Sequence, residues 1–330
     1  MTDLMVISHA CFMGINRSVY RLFKTSGWNI EIIAPRTLKF PNGIREAEPA
    51  RESDPPIHFL ELKGSNPRTY SFEGLETVMN TKQPSLVLLD NDPVSFIALK
   101  VGKWCQNNKS KLYCISCENM PLDMRSAFKR RGWRGLPSAI VKRILLWQTK
   151  KIVEGVFSIN RDGQLILKKE GFKNVVHMPL GFDPEYFYPD AFKGEEIRNK
   201  LGLTKPVIAY FGRLTKEKGI HVLIKALSGM KDQAWHLLMD DFDEYASDYT
   251  KEIHDLLEES GIRDRVVFIS PSHYEMGGYM NASDIVVVPS VSTYQWKEQY
   301  GRVVAEALAC SKKVVVSDSG SLKEVLNDYG

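Results

Sequence analysis

The sequence predicts an α/β protein made of two doubly wound parallel-sheet domains, and three observations predict it. The chain has 330 residues, against about 100–200 for a single domain. Short β-rich runs alternate with longer amphipathic stretches of helical period, the pattern of βαβ units. This alternation runs through twice, with a segment dense in Pro, Gly and aromatic residues between the two passes.

The first pass has expected strands at 4–8, 28–33, 86–89, 112–116 and 156–159, with helices at 17–25, 72–81, 94–106 and 139–150. The second has strands at 206–211, 235–239, 266–269, 285–288 and 314–317, with helices at 219–228, 249–260, 274–280 and 302–309. Residues 1–177 form the first domain, 178–190 the linker (MPLGFDPEYFYPD) and 191–330 the second. In two such domains facing each other, strand carboxyl ends and helix amino ends are expected to converge on a shared cleft.

Composition narrows the function classes. The chain is 43% hydrophobic and 25% charged, which excludes disordered, collagen-like and coiled-coil proteins. No apolar run reaches the ~18 residues of a membrane span. The start MTDLMVISHA lacks a basic leader region, so no secretory signal is expected. Five scattered cysteines do not make a disulfide framework and favour a reducing, cytoplasmic setting. The net charge of +4 divides unevenly: residues 1–180 hold 27 Lys/Arg against 16 Asp/Glu, and residues 181–330 hold 17 against 24. A basic half and an acidic half suggest different partners.

Two stretches carry chemistry. In YFGRLTKEKG (210–219) a buried strand runs into Gly212, and a helix starts near Gly219. Arg213 and Lys218 lie where two cations can grip an anion such as a diphosphate. The plain alternative is a solvated charged loop. In VVVPSVSTYQWKEQYGRVVAEALAC (286–310) a strand ends at Pro289, followed by Ser290 and a polar loop, and a helix starts near Gly301. Glu298 precedes that helix and Glu306 lies on it, spaced to bind two separate groups of hydroxyls. Its plain alternative is a first-turn Glu and a solvated helical Glu.

Together these marks resemble the donor-binding domain of retaining glycosyltransferases of family 4, which have the GT-B fold. The likeness rests on FGRLTKEKG (211–219), the Glu298/Glu306 pair, EQYGR (298–302), ALAC before the strand at 313–317, and LGFDPEYFYP (180–189). It covers about 178–326 and is weak over 1–177. The resemblance implies a metal-independent hexosyltransferase, without cofactor, moving a sugar from a UDP- or GDP-linked donor to a saccharide or lipid-linked acceptor held by residues 1–177. It implies that Arg213 and Lys218 hold the diphosphate, with Gly212 and Ser290 beside them. Glu298 would touch the donor sugar and Glu306 the ribose, with the backbone of Tyr300, Gly301, Arg302 and Val303 at sugar and phosphate. Losing one such cation should cost about 3–4 kcal/mol, roughly 10²–10³ in rate.

Where the pattern departs from the family, candidates take the vacant roles. After the first strand only Gly14 stands for the usual paired glycines. The strand end SCEN (116–119) has no His facing the sugar and offers Glu118 and Asn119. LMDDFD (238–243) lacks the usual Gly-rich turn. The chain ends at Gly330, where such proteins commonly continue back to the first domain, so the donor domain is expected to be truncated or short. The triplets Asp90-Asn91-Asp92 and Asp241-Phe242-Asp243 have D-x-D spacing but are not read as metal sites, and Cys114 with Cys117 is read as structural. Two rival functions remain: a sugar-nucleotide epimerase, and a non-catalytic nucleotide-sugar or membrane-surface binding protein.

A third stretch, 125–151, interleaves Lys129, Arg130, Arg131 and Arg134 with Trp133 and other apolar residues. It reads either as a helix with a core face and a solvated basic face, or as a patch for an anionic membrane surface or acceptor. The basic first half favours the second reading and peripheral association with a membrane. Nucleic acid is not expected, because no recognition module is visible.

Overall fold

Parallel pairing organises both halves of the chain. The computed structural model describes residues 2–40, 43–241 and 248–330. It divides into two compact units, Met1–Pro179 and Leu180–Gly330. Residues from Leu180 on, within the segment expected as linker, fall in the second unit, where Phe187 is buried.

In the first unit β1 (Leu4–Ser8) is followed by α1 (Ser18–Thr25), β2 (Ile30–Pro35), the antiparallel pair β3 (Thr37–Phe40) and β4 (Gly43–Glu46), and β5 (Ile57–Leu60). The short β6 (Leu62–Lys63) and β7 (Ser71–Phe72) lead to α2 (Leu75–Lys82), β8 (Leu86–Asp90), α3 (Phe96–Asn107) and β9 (Lys111–Ser116). Then come α4 (Met124–Arg131), α5 (Leu136–Thr149), β10 (Val153–Ser158), α6 (Arg161–Lys169) and β11 (Val175–His177). The seven-stranded sheet runs β11-β10-β9-β8-β1-β2-β5, all parallel. The interior strand β1 shows why: every residue of LMVIS is buried, as expected of a strand covered on both faces. Met5 and Ile7 pack into one core layer with Leu89, Met79 and Leu146, while Leu4 and Val6 pack into the other with Tyr20 and Ile32.

The second unit runs α7 (Ala191–Leu201), β12 (Val207–Tyr210), α8 (Ile220–Ser228), β13 (His236–Asp240), α9 (Asp248–Glu259), β14 (Val266–Ile269) and α10 (Met276–Asn281). It closes with β15 (Ile285–Val288), α11 (Arg302–Ala309), β16 (Lys313–Val316) and α12 (Leu322–Tyr329). Its parallel sheet has the order β14-β13-β12-β15-β16. Both units are therefore Rossmann-like. In each, the strand order reverses once, between β1 and β8 in the first and between β12 and β15 in the second. Such switch points, at strand carboxyl ends, are where open α/β sheets bind ligands.

Several elements go beyond the sequence expectation. β5 and β11 are edge strands, and β11 has only three residues, too few to show a period. Helices α4, α6, α7 and α12 were not separately expected. Arg17 lies in a 3-10 turn ahead of α1 rather than in the helix. Phe72 pairs in β7, so α2 starts at Leu75. The strand placed at 156–159 instead occupies Val153–Ser158.

Candidate functional site at the second switch point

The loop after β12 is shaped by its own backbone. The Tyr210 hydroxyl donates to the Arg213 carbonyl at 2.7 Å, closing a turn over Gly212. Gly212 has a φ of +154° and Gly219, which precedes α8, one of +72°, a region few side chains tolerate. A Cβ on Gly219 would stand 2.0 Å from the Pro289 carbonyl oxygen. The loops after β12 and β15 are thus in direct contact, and the Val291 amide donates to the Glu217 carbonyl at 2.8 Å.

That contact brings the two sequence motifs together. Lys218 Nζ lies 2.7 Å from Glu298 Oε2, and Ser290 Oγ donates to the same oxygen at 2.8 Å. Glu298 is only 6% exposed, and both donors meet its carboxylate inside the fold. Lys218 also stands over the Trp296 ring, 5.5 Å from its centre. Arg213 is exposed at the mouth of the same turn.

The backbone of Glu298 is gripped as firmly as its side chain. The Ser321 amide donates to its carbonyl at 3.1 Å, and its own amide donates to Ser319 Oγ at 3.4 Å. Gly320, at φ +55°, packs so close that a Cβ would lie 1.9 Å from the Glu298 carbonyl oxygen. Sequence reasoning missed Trp296, Ser319 and Gly320 in this role. The only available signal was the turn-forming run SDSGS (317–321), which resembles any polar loop.

Three residues past Glu298, Gly301 caps α11 with φ +82°. The helix amino end, which begins with Arg302 and Val303, carries partial positive charge. The Tyr300 side chain turns away from this end. It is buried, its hydroxyl donates to the Leu180 carbonyl, and burial pushes its pKa far up. Glu306, one turn after Arg302 on α11, is 8% exposed and 3.6 Å from Arg302 Nε. Burial holds its carboxyl above the usual 4.5, with Arg302 pulling the other way.

The first-unit candidates are likewise held by structural contacts. The Gly14 amide already donates to Glu48 Oε2 at 2.8 Å. Glu118 accepts from Arg68 Nη2 at 2.8 Å and from the Met120 amide at 3.1 Å, and Asn119 is buried beside it. Of the D-x-D triplet at 90–92, Asp90 accepts from Ser8 Oγ at 2.6 Å. Asp92 accepts from Ser116 Oγ and from the Cys117 and Glu118 amides. Burial first and Glu118 second raise its pKa, while Arg68 opposes them. Asp92 and Arg68 thus fix the loop that bears Glu118 and Asn119, a part that sequence reasoning did not give them. The second triplet reaches residues 242–243, outside the described residues. Lys129, Arg130 and Arg131 end α4, with Trp133 and Arg134 in the 3-10 turn that follows. Cys114 is buried within β9, Cys117 lies just beyond that strand, and neither is in a disulfide.

Two Rossmann-like parallel sheets with their helices define a class, the GT-B architecture. In structure, the chain superposes on sucrose-phosphate synthase from Thermosynechococcus elongatus with a TM-score of 0.71 at 19% identity, covering 98% of this chain and 83% of that one. Anabaena HepE, in complex with UDP and glucose, gives 0.70 at 18% identity over 98% and 83%. In sequence, residues 193–330 match the family model of the glycosyl transferases group 1. The chain is also 31% identical over 158 residues to the D-inositol 3-phosphate glycosyltransferase of Xylanimonas cellulosilytica, over 46% of this chain and 36% of that protein. It spans little more than a third of the length of such curated relatives.

Proposed function

We propose that this protein is a retaining glycosyltransferase that moves a hexosyl group from a UDP- or GDP-sugar, without metal, to a saccharide or lipid-linked acceptor. The observation that carries the reading is the buried Glu298 carboxylate, held at the second switch point by Lys218 and Ser290 and followed by the buried Glu306 on α11. A ligand with a diphosphate between a sugar and a ribose has the chemistry this set would recognise. The match of residues 193–330 to group 1 glycosyl transferases supports it, as does the UDP and glucose bound by HepE.

In this reading Arg213, Lys218 and the α11 amino end bind the diphosphate. Breaking the glycosyl–phosphate bond leaves an oxocarbenium-like sugar and adds negative charge to the departing diphosphate. Preorganised cations and amides facing that charge stabilise the transition state more than the ground state. Glu298 orients the sugar hydroxyls, Glu306 accepts from the ribose, and the first unit holds the acceptor near Glu118 and Asn119.

The test is nucleoside diphosphate release from UDP- and GDP-sugars in EDTA, with the product anomer read by NMR. Arg213→Ala should lower turnover by about 10²–10³ with an unchanged melting temperature, because Arg213 is exposed. Near-full activity of that variant would move the diphosphate site elsewhere, and an inverted anomer would remove the retaining assignment.

A further inference from the structure

Helix α5 is apolar on two opposite faces. Ala139, Leu145, Leu146 and Thr149 are buried, with Leu145 and Leu146 in the first-unit core. Ile140, Ile144 and Trp147, spaced i, i+4, i+7, stand on the other face with Val141, and all four are exposed. A surface helix ordinarily carries polar residues there. The preceding segment adds two more rings. Phe128 of α4 meets Trp133 edge to face at 5.2 Å, and Trp133 is 77% exposed. Met124, Arg143 and Gln148 complete a shallow groove beside Ile140, Ile144 and Trp147.

The charge carried by this segment has one sign. Residues 124–151 contain nine Lys and Arg and no Asp or Glu. Lys129, Arg131, Arg134, Arg143 and Lys151 are exposed, and Lys151 Nζ lies 3.6 Å from the centre of the Trp147 ring. Arg143 is anchored to Glu170 at 2.6 Å.

We infer that α4, the turn after it and the outer face of α5 form a docking surface for an anionic lipid bilayer. Exposed aliphatic and Trp side chains rimmed by cations match the boundary between headgroups and acyl chains. Helix α5 has 14 residues and lies along such a surface rather than crossing it. A second copy of the chain is a poor occupant, because a two-fold contact would set this cationic patch against itself. The inference is independent of the transferase reading, since it needs neither donor nor turnover.

The test is co-sedimentation of the full chain with vesicles of phosphatidylcholine alone and of phosphatidylcholine with phosphatidylglycerol. Wild type should pellet with the anionic vesicles only, and less as salt rises. Ile144→Ser with Trp147→Ser, and separately Lys129→Glu with Arg131→Glu and Arg134→Glu, should each lower the bound fraction about tenfold or more at an unchanged melting temperature. Trp133→Ser, a change outside both helices, should also weaken binding and provides a readout if a multiple variant misfolds. Equal binding to both vesicles, no binding, or variants that bind like wild type would overturn the proposal. So would a wild-type dimer in sedimentation that Ile144→Ser with Trp147→Ser dissociates.

Discussion

Glu298 and Lys218 each have a second task besides the proposed one, because each neutralises the other in a part-buried pair. Removing one partner strands the other charge, which commonly costs about 3–5 kcal/mol. Lys218→Met should therefore destabilise the chain by several kcal/mol in urea, and Glu298→Gln in the same chain should recover part of that loss. A double-mutant cycle should give a coupling of about 1–3 kcal/mol, and additive effects would mean that the pair is not formed in solution. Glu306 predicts a pH effect of a definite sign. Burial raises its folded-state pKa above the ordinary 4.5, so the folded chain holds this proton where the unfolded chain has lost it. Stability from this site is then present below about pH 4.5 and falls as pH rises through the folded value. Glu306→Gln should melt higher than wild type at neutral pH, with the gap closing as pH falls toward 4.5. A gap independent of pH would contradict that account.

At the scale of elements, glycines set the approach of loops to the site. A Cβ on Gly320 would meet the Glu298 carbonyl at 1.9 Å, and its φ of +55° already disfavours a side chain. Gly320→Ala should displace Glu298, lowering turnover at least about 10-fold and stability by about 1–3 kcal/mol. Turnover like that of wild type would show that Glu298 need not be held so closely. The motif strands β12 and β15 were legible because VIAY and IVVV are short β-branched runs that lead straight into Gly212 and Pro289. Glu298 and Glu306 stood out by their spacing around a helix start. Gly320 and Ser319 did not, because their work depends on a loop that returns to Glu298 from 21 residues away in the chain. The D-x-D spacing of 90–92 does not reveal that Asp92 is the half-buried acceptor that shapes the 116–119 turn. Helix α4 was hidden by charge: MRSAFKRR has too few apolar positions to show a helical period.

For the whole molecule, the repeated strand–helix alternation was enough to give two doubly wound sheets, since buried parallel strands read as continuous apolar runs. Edge strands β5 and β11, with a His in each, blurred the same signal. The second unit brings Lys218, Ser290 and Glu298 together at one switch point, and the proposed nucleotide site rests on that cluster. The most direct test is calorimetric titration of wild type and Glu306→Ala with UDP and with GDP, in EDTA. The account predicts that wild type binds one of the two tightly and that Glu306→Ala binds it at least about tenfold more weakly, a loss of about 1.4 kcal/mol. Equal affinity in wild type and variant, or no binding of either nucleotide by wild type, would contradict it.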